Sequence, residues 1–158
     1  MRGGSHKLGY VMNKIFGLLF GAVMAALVFA APASAAKSPA AVNVVIDISS
    51  QSMTVTINGW PSHFWKVSTA REGYWTPRGR FRPFSLRKVY YSKKYDNAPM
   101  PNSVFFHGGY AIHGTGHVRA LGRPASHGCV RLAPGNALAL FNIVQKYGMG
   151  RTRITIVD

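Results

Sequence analysis

The chain has 158 residues, 19 of them Lys or Arg against four Asp or Glu, giving a formal net charge of +15 at pH 7. That length bounds it to one domain plus some leader sequence. A single cysteine, Cys129, excludes an intramolecular disulfide and leaves a buried apolar residue, an intermolecular link or a reactive thiol.

In chain order, residues 1–11 are polar and glycine-bearing and read as an upstream extension or expression scar. Met12-Asn13-Lys14 opens a basic start, Ile15 to Ala31 is apolar, and Ala33-Ser34-Ala35 is a small-x-small site. Together they predict a secretory signal peptide over 12–35, cleaved after Ala35. A membrane-spanning helix is the competing reading. The apolar run sits near the lower limit of the roughly 17–25 residues that such a helix needs, and the A-x-A site favours cleavage. The expectation is an exported protein of the periplasm or cell envelope, not integral to a membrane once the signal is removed. Arg2, Lys7 and Lys14 precede residue 36, whereas all four acids follow it, so the mature chain stays basic. Such charge attracts anionic partners. Export directs that attraction to cell-wall polymers and lipid surfaces and away from nucleic acid; the alternative is a merely solubilising surface.

Residues 36–41 read as a short mobile leader, and 42–158 as the domain. Val44, Ile46 and Ile48 alternate with Asn43, Val45 and Asp47, and Met53, Val55 and Ile57 with Ser52, Thr54 and Thr56, the period of half-buried strands. Ser49-Ser50-Gln51 suggests a hairpin loop and Asn58-Gly59 a turn. A third strand is expected over His63–Thr69, with short strands near Phe81–Phe84 and Arg87–Tyr91. Thr76-Pro77-Arg78-Gly79 is a turn signal, and Lys93–Pro101 reads as a loop. Ser103–Phe106 and Tyr110–His113 flank His107-Gly108-Gly109 as paired strands. Pro134 to Tyr147 is helical: Leu138, Phe141, Val144 and Tyr147 recur every three residues, and Ala137, Leu140 and Ile143 widen the stripe. Pro134 suits the first turn and Gly148 the stop. Arg153–Val157 closes the chain as a strand. The sum is a mainly β fold, a small sandwich or barrel-like domain with one main helix near the C-terminus.

The chemistry concentrates between Ala111 and Leu132, which hold His113, His117, His127 and Cys129 among glycines that include Gly114 and Gly128. A thiol needs a base or a positive neighbour to become a thiolate near neutral pH. On a strand, His127 and Cys129 would point the same way, and His113 ends a strand that could face the same cleft. Gly128 lets backbone approach a substrate, and N–H groups near the nucleophile could form an oxyanion hole. Arg131 offers a planar fork for a carboxylate. Chemistry alone reaches a candidate cysteine nucleophile and no further.

His113-Gly114-Thr115 followed by Ser126-His127-Gly128-Cys129-Val130-Arg131-Leu132 resembles the signature of L,D-transpeptidase catalytic (YkuD-type) domains. Val44–Ile48 with Gln51 and Met53, Trp65–Thr69, and Thr76-Pro77-Arg78-Gly79-Arg80-Phe81 resemble other segments of that family, so the likeness spans roughly 42–157. Ala70 stands where the family carries glycine, and Arg131 where many members carry Asn. The resemblance implies Cys129 as nucleophile, His113 as general base and acid, His127 as an orienting or proton-sharing partner, and Ser126 as a hydroxyl that fixes a histidine. Gly128 with the Cys129 N–H would line the oxyanion hole, Gly114 would contact substrate, and Arg131 would bind or orient the peptide stem or brace the site. It further implies a peptidoglycan stem tetrapeptide as donor, release of D-alanine, and transfer to an amine of a second stem or an envelope protein, with no cofactor or metal. Two rivals remain. His113-x3-His117 with His127-x-Cys129 offers zinc ligands, though at no standard structural spacing. A non-enzymatic module for anionic polymers would use the charge and the aromatics Tyr74, Trp75, Phe81, Tyr90 and Tyr91.

Overall fold

The computed structural model describes residues 40–158. The upstream extension 1–11, the signal peptide 12–35 and the leader to residue 39 lie outside the described residues. Ala41, expected at the end of a mobile leader, belongs to the fold. It is buried, its N–H donates to the Arg151 carbonyl, and its own carbonyl accepts from Asn58.

Alternating apolar residues build the first sheet. Strands β1 (Val42–Asp47), β2 (Ser52–Ile57), β3 (Trp60–Lys66), β4 (Gly79–Phe81) and β11 (Thr152–Val157) lie in the order β3-β2-β1-β11-β4. β1 and β11 run parallel, with Val42 opposite Thr152 and Asp47 opposite Val157; the other pairs are antiparallel. Val42, Val44, Ile46, Met53, Val55, Ile154 and Ile156 face inward, each at most 1% exposed. Asn58 and Gly59 both take positive φ, 50° and 86°, giving the two-residue turn that sends β2 straight into β3. The third strand therefore starts at Trp60 and ends at Lys66, not at Thr69.

The second sheet has the order β10-β9-β8-β5, from β5 (Ser85–Arg87), β8 (Ser103–His107), β9 (Tyr110–Gly114) and β10 (Val130–Leu132). β9 and β10 are parallel, with Arg131 opposite His113. The two short strands expected in the middle of the chain appear displaced, as β4 and β5. Tyr91–Ser92 (β6) pairs with Ala98–Pro99 (β7), so the expected loop over Lys93–Pro101 carries a small hairpin end. Neither main sheet closes on itself, so the architecture is two open sheets and one long helix.

Helix α1 (Pro134–Tyr147) starts with proline at its first position and stops at Gly148, φ 90°. It buries Ala137, Leu140, Phe141 and Val144, the i, i+3, i+4, i+7 stripe of a one-sided helix. Leu138, counted in the sequence stripe, is 42% exposed. The core lies where the inner residues of both sheets meet this helix: Val104, Phe106, Ile112, Val130 and Leu132 join Leu140, Val144 and the first sheet's valines and isoleucines. Among the described residues, no helix is long and apolar enough to cross a membrane.

Candidate active site

Past β3 the chain leaves the first sheet and runs along the segment that carries the cysteine. Ser68 exchanges two backbone hydrogen bonds with Arg131, 3.1 and 2.9 Å. Thr69 accepts from the N–H groups of Ala125 and Ser126, and Arg71 donates to the Ser126 carbonyl. Residues 126–131 thus form an arch fastened at both feet, with His127, Gly128 and Cys129 bending free between them. They are not on a strand, so the expectation that strand alternation aligns His127 with Cys129 is corrected; β10 begins one residue later.

Gly128 explains the bend. Its φ is +126°, a conformation open to glycine. A Cβ there would lie 2.6 Å from Tyr110 Cε1 and 2.7 Å from the Trp75 carbonyl oxygen. Its peptide groups are taken: the N–H donates to Ser126 Oγ at 2.9 Å and the carbonyl accepts from Thr76 Oγ1 at 2.9 Å. Two expectations change. Ser126, fully buried, holds the Gly128 N–H and not a histidine. The Gly128 N–H is then spent inside the protein and cannot face a substrate oxyanion.

His113 is 6% exposed. Its Nδ1 lies 2.7 Å from the Gly114 carbonyl oxygen. A carbonyl can only accept, so Nδ1 carries the proton and Nε2 presents a lone pair. Burial, opposed by that hydrogen bond and aided by the Arg131 charge, lowers the His113 pKa to about 4. The imidazole is therefore neutral at physiological pH. Gly114 was expected to contact substrate, but its N–H is bonded to the Pro101 carbonyl and a Cβ would crowd Pro101 and Ala137. Its carbonyl orients the His113 ring instead.

Neighbouring strands lie roughly 4.8 Å apart, so the pairing of Arg131 with His113 places both on one face of the sheet. Cys129, two residues before Arg131, opens onto the same side. Cys129, His113, Arg131, His127, Ser126, Thr115 and His117 line one cavity of about 380 Å³, closed on the far side by Ser92, Tyr95 and the β6–β7 hairpin. The thiol's hydrogen-bond partner is the Gly109 carbonyl, 3.9 Å away. Burial raises the Cys129 pKa, while a backbone contact with Ala111 and the Arg131 charge pull it down. Thiol and imidazole thus both rest neutral at physiological pH. Arg131 donates to the Ala125 carbonyl at 3.1 Å, bracing the arch while its charge reaches the thiol.

His127 stacks on Tyr95 (4.5 Å, 18°) and meets Tyr74 edge-on (4.6 Å, 82°). Burial and then the charges of Arg71 and Arg131 lower its pKa. Its ring serves as a wall of the cavity. Sequence reasoning missed Tyr95, Thr76 and Gln51. Gln51, read as a loop residue, is 3% exposed and bonds through both amide atoms to Thr69, the residue that pins the arch. Thr76 was read as part of a turn and of a family-like segment, Thr76–Phe81, but was given no task at the site. The aromatics of the binding-module reading do not share a face, since Phe81 packs on the main core and Tyr90 on Phe105. Among the described residues, no group of three or more His, Cys, Asp or Glu is placed to hold a metal ion.

Residues 41–156 match the L,D-transpeptidase catalytic domain family (YkuD). Similar solved structures include the L,D-transpeptidase from Mycobacterium smegmatis, at 23% identity and TM-score 0.66, matching 73% of this chain and 58% of that one. The LD transpeptidase LdtMt1 in complex with imipenem is similar at 25% identity and TM-score 0.66, over 74% and 59%. The L,D-transpeptidase from Xylanimonas cellulosilytica DSM 15894 is similar at 27% identity and TM-score 0.60, over 77% and 62%. No curated protein matches. The chain spans about three-fifths of the length of those solved chains. With the family match covering most of the sequence, this chain belongs to the L,D-transpeptidase catalytic domain family.

Proposed function

We propose that the protein is an exported cysteine acyltransferase that remodels peptidoglycan stem peptides. The observation that carries this reading is the shared cavity, in which the half-buried Cys129 and a neutral His113 with a free Nε2 stand beside Arg131.

In the first step Cys129 swings from Gly109 and gives its proton to His113 Nε2 as sulfur attacks the carbonyl carbon of the third stem residue. The tetrahedral oxyanion takes a hydrogen bond from the Cys129 N–H. The C–N bond to D-alanine breaks, and its nitrogen leaves with the proton held by His113. A thioester remains, the product of covalent catalysis. An incoming amine loses a proton to His113, attacks the thioester and restores the thiol. A second stem gives a cross-link between third residues; an envelope protein gives anchoring; water gives carboxypeptidation. The Arg131 charge steadies developing negative charge at sulfur. LdtMt1 is described in complex with imipenem, and by that likeness a carbapenem is expected to react with Cys129. The basic surface supports attraction to the anionic envelope outside the cytoplasm.

Intact mass spectrometry of residues 36–158 mixed with a disaccharide-tetrapeptide muropeptide tests the proposal. A stem adduct on Cys129 with released D-alanine is the expected outcome. Folded protein with a free thiol that yields neither would overturn it.

A further inference from the structure

The chemistry above gives no task to Thr76, which stands 52 residues before the Gly128 it touches and is 2% exposed. A buried hydroxyl needs partners, and this one has two that are unrelated in sequence. It accepts from the Ala70 N–H at 3.0 Å and donates to the Gly128 carbonyl at 2.9 Å. Thr76 lines a small cavity of about 130 Å³ that shares no lining residue with the larger one on which Cys129 opens.

The Gly128 carbonyl and the Cys129 N–H belong to one trans peptide plane and point in opposite directions. Whatever fixes the first aims the second. A peptide beside a glycine rotates easily, because no Cβ restricts it, and Gly128 already sits at a φ of +126°. Ser126 does not do this task, since it holds the N–H of Gly128, which lies in the preceding peptide plane. With the Gly128 N–H so engaged, the Cys129 N–H is the donor left beside the sulfur.

We infer that Thr76 is a positioning residue: its hydroxyl holds the Gly128–Cys129 peptide in the orientation that aims the Cys129 N–H at the carbonyl oxygen under attack. This rests on the reading of Cys129 as the acyl-forming nucleophile. The hydroxyl stays out of contact with substrate and acts through the peptide it grips.

Two thiol probes separate aim from reactivity. Imipenem acylation passes through a tetrahedral oxyanion; iodoacetamide alkylation is a displacement at carbon that forms none. Rates of both on Cys129 are followed by intact mass for the wild type, Thr76→Val and Thr76→Ser, with Thr76→Ala replacing valine if that variant does not fold. Loss of the hydroxyl lowers the imipenem rate roughly 10- to 100-fold. The iodoacetamide rate and its pH profile stay within about twofold, because they follow the thiolate fraction. Serine restores acylation. A valine or alanine variant acylated at the wild-type rate overturns the inference and leaves the nucleophile reading standing. An equal loss with both probes, or no rescue by serine, reduces Thr76 to general support and also overturns it. A wild type that iodoacetamide labels but imipenem never acylates overturns the nucleophile reading itself.

Discussion

The five-stranded sheet and the arch over residues 126–131 are held together by different means. In the sheet, Val44, Ile46, Val55 and Ile154 share a continuous ladder and a common apolar core. No one of them carries a contact that the others cannot partly cover. The arch has backbone bonds at its feet, but its bend depends on single side-chain contacts: Thr76 on Gly128, Ser126 on Gly128, Gln51 on Thr69 and Arg131 on Ala125. Redundancy protects the scaffold, and its absence leaves the arch open to control by one atom at a time.

Substitutions test that contrast, the largest effect first. Cys129→Ala should end D-alanine release and leave the circular dichroism spectrum unchanged; residual turnover at the wild-type rate would remove the cysteine mechanism. His113→Ala should lower acylation roughly 10²- to 10⁴-fold, the usual worth of a positioned base, whereas His117→Ala should barely alter it. Stopped-flow imipenem acylation of both variants checks the order, and the reverse order would shift the base to His117. Gly128→Ala must strain a φ of +126° and push against Tyr110 and the Trp75 carbonyl, which costs roughly 2–6 kcal/mol in chemical denaturation.

Acid should weaken the fold through His113. Its pKa of about 4 in the folded state lies below the ordinary 6.5. The unfolded chain therefore takes up the proton first. The stability that His113 lends by staying neutral is whole above pH 6.5 and is lost as pH falls toward 4, by about 3 kcal/mol. His127 shifts in the same direction, so the His113 share is the difference from His113→Gln, whose stability curve should be flatter across that window. Equal curves would mean that His113 titrates normally. Smallest of all, Ile154→Val in the sheet should cost about 0.5–1.5 kcal/mol with acylation per folded molecule unchanged. A loss of rate there would show that the sheet and the arch are coupled after all.

The same contrast separates what the sequence disclosed from what it concealed. Alternation at Val42–Ile57 and Thr152–Val157 and the three-residue spacing of α1 are periodic, and periodic burial leaves a mark in the chain. Cys129, His113 and Arg131, which line one cavity, were singled out because a thiol, an imidazole and a guanidinium carry chemistry wherever they fall. Thr76 and Gln51 are common residues in turn-like surroundings, and their importance lies in partners 52 and 18 positions away; Ser126 was singled out, but its partner two residues on is a backbone N–H and not a histidine. Gly114 and Gly128 were correctly marked as special. Their tasks were misjudged, because a glycine announces freedom without saying which backbone group the freedom serves. The third strand was placed three residues late, because Val67–Thr69 continues the strand-like composition after the chain has left to pin the arch.

β11 lies in the interior of its sheet, between β1 and β4. In order of synthesis it is the last strand of the domain, so its two neighbours must wait for it with their inner edges unpaired. No translated fragment that stops short of Thr152 can complete the first sheet. The first sheet therefore closes its ladder only once residues 152–157 are available to pair on both sides.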